Sequence, residues 1–332
     1  MRALIYMAPE KVELMEHPRP TLAPGEEEVR VEIAGVCGSD ISGFLGHSSI
    51  RKPPLIMGHE FVGQIADGRR VVANPLISCG HCVACLSGAQ NLCDSWRLLG
   101  AGQTQGTFAE SVAVPSDHIY ALPETMPSTL AIFTEPLANI VHMFRLISPG
   151  PLFRLAIVGA GTMGALTVAL SRLLGARDTL VVDVNDQRLQ TMKTIGAHAG
   201  VNTGSQAGIA EAHRLAGHGF DVVIDASGSA PARQMAFDLC RPGGQVALLG
   251  MAAQRSELNF VASIRKEHRV IMSFAYTPVD FRRALELLIA GEVDLTRWME
   301  STPLEKGQQA FEKMTRAPGP TLKMVLQVSP PN

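Results

Sequence analysis

The sequence predicts an α/β chain of two domains, a small β-barrel followed by a doubly wound parallel sheet. Three observations carry that prediction. Up to about residue 145 short β-branched runs are split by Pro and Gly. From about residue 150 strands alternate with helical stretches, the pattern of a parallel sheet flanked by helices. The length, 332 residues, is long for one core and suits two domains of roughly 100 to 200 residues each.

In chain order, Leu4-Ile5-Tyr6, Val29 to Ile33, Phe61 to Ile65, Arg70-Val71-Val72 and Phe108 to Val114 read as the barrel strands. Arg154 to Val158, Thr179 to Asp183, Asp221 to Asp225 and Gln245 to Leu249 read as parallel strands, with His268 to Tyr276 as a sixth. An amphipathic helix follows, with Phe281, Leu285, Leu288 and Ile289 on its apolar face. Leu322 to Val328 returns to strand texture, and a strand so far from the others is expected to rejoin the first domain. The expected boundaries are 1–147, 148–277 and a returning segment 278–332.

Composition excludes several function classes. Hydrophobic residues at 46% and charged residues at 18% exclude extended disorder. With 29 Lys plus Arg against 31 Asp plus Glu, no global positive field exists to attract nucleic acid or anionic lipid. No uninterrupted apolar run reaches the roughly 20 residues that span a bilayer, so no membrane is expected. The N-terminus reads as a first strand rather than a leader, and the cytoplasm is the default address. Six cysteines would allow three disulfides, but four of them fall between residues 79 and 93, and that clustering points to metal.

Cys79, Cys82, Cys85 and Cys93 stand at C-x2-C-x2-C-x7-C with Gly80 and Gly88 between them. Four thiolates at this spacing suit a closed, structural tetrahedral zinc site, with an iron–sulfur cluster as the alternative. Such a site has no open position for substrate. A second, open site is suggested by Cys37-Gly38-Ser39-Asp40 after one apolar strand and Gly58-His59-Glu60 ahead of another. A thiolate, an imidazole and a carboxylate match the three protein ligands of a catalytic zinc. Taken singly, Cys37 would read as a buried thiol and His59 as a structural histidine. Asp40 is either the acceptor for the second N–H of His59 or a helix cap. Glu135, in Phe133-Thr134-Glu135-Pro136-Leu137, is a fourth candidate beside the metal or its water, or else caps the helix that Pro136 opens.

Gly159-Ala160-Gly161-Thr162-Met163-Gly164 follows the strand ending at Val158 and opens a helical pattern, the context in which G-x-G-x-x-G cradles a pyrophosphate. Asp183 ends the next strand, where a carboxylate hydrogen-bonds the adenosine ribose 2′-OH and repels a 2′-phosphate. NAD is therefore expected over NADP, with Arg188 able to shift that preference by folding back.

Taken together with Asn74-Pro75-Leu76 and Arg265-Lys266-Glu267, these motifs resemble the zinc-dependent medium-chain dehydrogenase/reductase superfamily over essentially the whole chain. The resemblance implies a GroES-like β-barrel catalytic domain carrying the structural zinc lobe and a Rossmann domain binding NAD, with two zinc ions per chain. Glu135-Pro136-Leu137 looks like the polyol, threonine and butanediol dehydrogenases, in which residues matching Cys37, His59 and Glu60 hold the catalytic zinc. The residue matching Glu135 there binds zinc or its water. Three departures bear on the substrate: Ser42 where a relay histidine is often found, Ala275 where sorbitol dehydrogenases have arginine, and a shortened loop after Gly63.

The implied chemistry is reversible hydride transfer between NAD and a secondary alcohol or polyol, with zinc as Lewis acid. Ser39 is the candidate first proton-relay group, or simply a helix N-terminal serine; His47 could replace the relay histidine. Alternatives are a dehydrogenase of a phosphorylated polyol such as galactitol 1-phosphate, using Arg51 and Lys52, and a catalytically silent NAD- and zinc-binding module. Zinc-free quinone reduction would leave the cysteines and Cys37, His59 and Glu60 without use. The family resemblance implies a homodimer or homotetramer, in which the strand His268 to Tyr276 pairs across the interface. Cys240 belongs to neither zinc site and reads as a small apolar residue.

Overall fold

The strand Glu26–Val36 organises the first part of the chain. Val29, Val31 and Ile33 point inward while Arg30 and Glu32 do not, the period of a half-buried strand. In the computed structural model, which describes residues 1–329, this strand pairs antiparallel with Glu60–Gln64 along one edge. Along the other edge it pairs first with Ser111–Pro115 and then with Lys323–Gln327. Arg70–Ala73, Ile119–Ala121 and Met299–Pro303 extend the same sheet to seven strands. Met299–Pro303 was not among the expected strands, because Glu300, Ser301 and Thr302 show no apolar alternation; it is held by parallel pairing to Lys323–Gln327.

A three-stranded sheet of Lys11–Glu16, Arg2–Ala8 and Leu55–Ile56 joins this one through backbone bonds. Leu4 N–H donates to the Phe108 carbonyl at 2.8 Å and Glu110 N–H to that of Arg2 at 3.1 Å. Between the sheets the Phe44 and Phe311 rings stack at 5.0 Å, with Phe108 edge-on to Phe311 at 5.9 Å.

Two compact units divide the chain: Met1–Ala138 with Ala275–Asn332, and Asn139–Phe274. Residues 330–332 of the expected returning segment lie outside the described residues. The first division falls inside the helix Thr134–Ile147 rather than at 147, the second just ahead of Ala275 rather than at 277.

The second unit is a six-stranded parallel sheet in the order 199–202, 178–183, 154–158, 220–225, 240–248, 269–272. Its central strands are near-continuous apolar runs, as strands covered on both faces must be. The last strand is only Arg269–Met272, shorter than the expected span to Tyr276. Ala275 turns the chain away with a φ of 49°, left-handed for a residue with a Cβ. The helix Pro278–Ile289 buries Phe281, Leu285 and Leu288 but leaves Ile289 exposed; Thr277 and Asp280 form its capping box.

Ser128–Ile147, at 20 residues and a mean hydropathy of 1.3, is long and apolar enough to cross a membrane by length and composition, but it is interrupted by Glu135 and Arg145, and 67% of its most apolar window is buried inside the protein, as in a core helix.

Candidate active site

The cysteine lobe has almost no core of its own. The short helix Val83–Leu86 and the turn Gln90–Leu92 leave Val83, Leu86 and Leu92 exposed. What gathers the lobe is the sulfur cluster: the four Sγ atoms of Cys79, Cys82, Cys85 and Cys93 lie within 4.8 Å of one another, and none is in a disulfide. Backbone N–H groups aim at the sulfurs, Cys79 N–H to Cys93 Sγ at 3.3 Å and Cys82 N–H to Cys79 Sγ at 3.4 Å. Backbone N–H groups of Cys85 and Asp94 pull the Cys82 thiol down to about 6. Donors directed at sulfur favour thiolates, the form that binds metal.

The second group forms where three strands and a helix meet. Cys37 ends the strand Glu26–Val36 and caps the helix Gly38–Phe44. His59 and Glu60 open the strand Glu60–Gln64 after Gly58, whose φ of 94° turns the chain; a Cβ there would lie 2.7 Å from the Phe108 ring. Ligand atoms of Cys37, His59 and Glu60 lie within 4.8 Å of one another. Glu60 is buried, its Oε1 has no hydrogen-bond partner among the described residues, and its Oε2 accepts from Lys323 Nζ at 2.5 Å. A buried carboxylate with an unpartnered oxygen, grouped with a thiol and an imidazole, fits a cation.

Gly35 is paired with Glu60 across the sheet and makes room for it, since a Cβ at Gly35 would stand 2.3 Å from Glu60 Oε2. Lys323 is 1% exposed. Burial opposes its charge, but Glu60 and Cys37 more than offset that and raise its ammonium. Reading the sequence did not single out Lys323; the available signal was a lysine inside the apolar run Leu322 to Val328, which needs a buried anion.

Asp40 is not the helix N-cap, which is Cys37, but stands in the first turn as its capping-box partner and also faces His59. Its Oδ2 accepts the Cys37 N–H at 3.1 Å, closing the first turn of the helix, while its Oδ1 faces His59 Nδ1 at 3.5 Å. Burial alone would raise this carboxyl, but His59, Arg51 and the Cys37 N–H bring it to about 2. Arg51 is corrected: it is buried against Asp40 rather than offered to a phosphate, so of the expected pair only Lys52 is exposed. Ser39 sits in the first turn of the helix, half-buried, with no side-chain hydrogen bond to the described protein. His47 is exposed, and Ser42 is half-buried in the same helix as Ser39.

Glu135 does not join the three-donor group. It lies in the first turn of the helix Thr134–Ile147, and its Oε1 accepts the Tyr276 hydroxyl at 2.9 Å. Burial pushes the Glu135 carboxyl up, and Glu60 adds to this, while His59, Tyr276 and Lys323 oppose it. Tyr276 was missed as a site residue because one tyrosine at the end of a strand-like run carries no periodic signal. Cys240 is buried, and burial pushes its thiol up to about 12, as for an inert core cysteine.

In the second unit Gly159 has a φ of 113° and Gly161 caps the helix Thr162–Leu173, with Thr162 and Met163 in its first turn. A Cβ on Gly161 would meet nothing within 4 Å, so open space lies over this helix end; a Cβ on Gly164 would stand 2.0 Å from the Gly159 carbonyl oxygen. Asp183 ends the strand Asp178–Asp183 and accepts from Ala160 N–H at 2.6 Å and from Val184 and Asn185 N–H at 2.7 and 2.9 Å. The carboxylate is thereby fixed beside the glycine loop. Arg188 lies in the following helix, where burial lowers its guanidinium and Asp183 opposes that.

Two family models match the chain: an alcohol dehydrogenase GroES-like domain over residues 23–124 and a zinc-binding dehydrogenase over residues 162–290. A D-xylulose reductase A of Aspergillus oryzae is 30% identical over 93% of this chain and 92% of its own. An L-threonine 3-dehydrogenase of Chelativorans sp. is 33% identical over 78% and 79%. A zinc-binding dehydrogenase target from Sinorhizobium meliloti 1021, solved bound to NADP, superposes with a TM-score of 0.88 at 28% identity, covering 98% of each chain. With a GroES-like unit, a Rossmann-type six-stranded sheet and both cysteine-bearing metal-binding groups in one chain, this protein belongs to the zinc-binding medium-chain alcohol dehydrogenase superfamily.

Proposed function

We propose that the chain is an NAD-dependent zinc dehydrogenase that interconverts a secondary alcohol or polyol and its ketone. The observation that carries this reading is the Cys37, His59 and Glu60 group, whose ligand atoms lie within 4.8 Å of one another and in which Glu60 Oε1 is buried with no hydrogen-bond partner among the described residues. That donor set is open, unlike the four-cysteine cluster. A zinc ion held there would supply Lewis acidity, lowering the pKa of a substrate hydroxyl. Cys37, His59 and Glu60 would hold it, Lys323 balances the charge of Glu60, and Tyr276 fixes the orientation of Glu135. Ser39, with a hydroxyl unclaimed by the described residues, is the candidate to take the substrate proton.

The preference for NAD rests on Asp183. Its oxygens receive three backbone N–H groups, so the carboxylate is fixed in place at the strand end, where it would hydrogen-bond a ribose 2′-OH and repel a 2′-phosphate. The xylulose reductase and threonine dehydrogenase relatives support a polyhydroxy or amino-alcohol substrate. The burial of Arg51 removes one of the two cations that would have favoured a phosphorylated one. Assembly as a homodimer or homotetramer is part of the reading. The edge strand Arg269–Met272 exposes Val270 and Met272, with Phe260, Val261 and Ile264 exposed on the preceding helix, a surface suited to a second copy.

The test is NADH formation at 340 nm over secondary alcohols, diols, polyols and phosphorylated polyols, before and after chelation and zinc restoration. Turnover of one class, lost with the chelator and regained with zinc, supports the reading. No turnover on any of them by a protein that holds two zinc ions and binds NADH sinks it in favour of the silent module.

A further inference from the structure

Arg51 lies in the loop between the helix Gly38–Phe44 and the strand Leu55–Ile56, yet it is 3% exposed. Loop arginines ordinarily keep the guanidinium in water, because burying it unpaired costs several kcal/mol. Here the fold makes a place for it. A Cβ on Gly43 would stand 2.8 Å from Arg51 Cδ, so the helix omits a side chain where this one passes. The Ser48 hydroxyl accepts the Arg51 N–H at 3.1 Å and turns the loop inward.

At its far end Arg51 meets the metal-binding group. Its Nε is 3.2 Å from Asp40 Oδ1 and its Nη2 is 3.4 Å from His59 Nδ1. The same Oδ1 faces His59 Nδ1 at 3.5 Å, and the other Asp40 oxygen is taken by the Cys37 N–H. One carboxylate oxygen therefore serves two groups, and the guanidinium is the nearer. A carboxylate bonded to the outer N–H of a metal-binding imidazole makes that imidazole a stronger donor. A cation sharing the oxygen draws its charge away and weakens that effect.

We propose that Arg51 is a positioning residue that acts through Asp40 to keep His59 a weaker metal donor than an Asp–His pair alone would make it. The consequence is a more loosely held and more strongly polarising ion at the Cys37–His59–Glu60 group. The inference rests on the reading that these three residues hold zinc.

The experiment uses the zinc-loaded full chain as wild type, R51M, R51Q, R51K, D40N and D40N/R51M. Zinc per chain is counted first, and then the rate of zinc release to a chromogenic chelator is followed. The four-cysteine site is the internal control. One zinc per chain in the wild type, retained by the cysteines, would overturn the metal reading itself. With two, R51M and R51Q are expected to slow release from the open site by about tenfold, at the lower end of what neighbours of metal ligands contribute. R51K, which keeps the charge, should stay near wild type, and R51M should have no effect on release in the D40N background. R51Q keeps a hydrogen bond to Asp40 and decides the matter if R51M does not fold. Release at the wild-type rate or faster in R51Q, or an equal effect of R51M with and without Asp40, would refute the proposal.

Discussion

At the residue scale the two oxygens of Glu60 differ: Oε1 is buried with no partner among the described residues while Oε2 is held by Lys323, an arrangement that is costly without a second cation and reasonable with one. K323M is therefore expected to destabilise the metal-free protein by about 3 to 5 kcal/mol, the cost of stranding a buried charge, with added zinc recovering much of the loss. Thermal unfolding with and without zinc checks this, and equal losses in both forms would show that Lys323 and zinc do not share Glu60. G35A places a methyl where Glu60 Oε2 now sits, and metal analysis should show one zinc per chain instead of two. The Tyr276 hydroxyl opposes the upward shift of Glu135. Y276F should therefore raise that carboxyl further and move the acid limb of the kcat/KM profile to higher pH; an unmoved limb would mean that Glu135 does not titrate in the reaction.

The decisive contacts between elements are backbone approaches that permit no side chain, and carboxylates that tie strand ends together. Gly164 lets the helix Thr162–Leu173 lie on the glycine loop. G164A must push the two apart, at about 1 to 3 kcal/mol in stability and at least about a tenfold loss of affinity for whichever reduced nicotinamide dinucleotide the protein binds, by fluorescence titration. Asp221 joins the starts of two strands, accepting the Arg154 N–H at 2.7 Å and Arg241 Nε at 2.6 Å. Burial would raise its carboxyl, but these two donors and Arg177 lower it overall. A folded-state pKa below the unfolded value of about 3.9 means stability that is complete above that pH and lost as pH falls through the folded value. Because both partners are partly exposed, D221N should cost only about 1 kcal/mol near neutrality, and urea midpoints of the two proteins should converge below about pH 4. A gap that persists in acid would assign the cost to packing.

For the whole molecule, metal and fold are coupled unequally at the two cysteine-bearing groups. The cysteine lobe exposes Val83, Leu86 and Leu92 and draws its order from the sulfur cluster, so C82S should loosen the lobe, measured as rapid proteolysis between residues 76 and 98. The open site sits on the seven-stranded sheet beside the Phe44, Phe108 and Phe311 core, so C37S should lose zinc and activity with little change in proteolysis. Comparable protection of the lobe in C82S and wild type would contradict a structural role for the cluster.

How much was legible in advance depended on the distance over which each feature is specified. The cysteine spacing, the glycine loop and the strand-end Asp183 are local: backbone turns and ligand reach over a few residues impose them, so the sequence determined both metal-binding groups and the cofactor loop by itself. The α/β class was legible for the same reason, since strand and helix periods are local patterns. Lys323 lies 263 residues from Glu60, and Tyr276 lies 141 from Glu135. No periodicity links residues so far apart, and the strand Met299–Pro303 shows no apolar alternation, because pairing rather than burial defines it. Arg51 and Glu135 show the limit most directly. A loop Arg-Lys pair reads as solvated, and a carboxylate beside a metal motif reads as a partner of the metal or of its water. Only the packing of the tertiary structure decided that the first is buried against Asp40 and that the second also accepts a tyrosine hydroxyl, because burial and partner choice are properties of the assembled core.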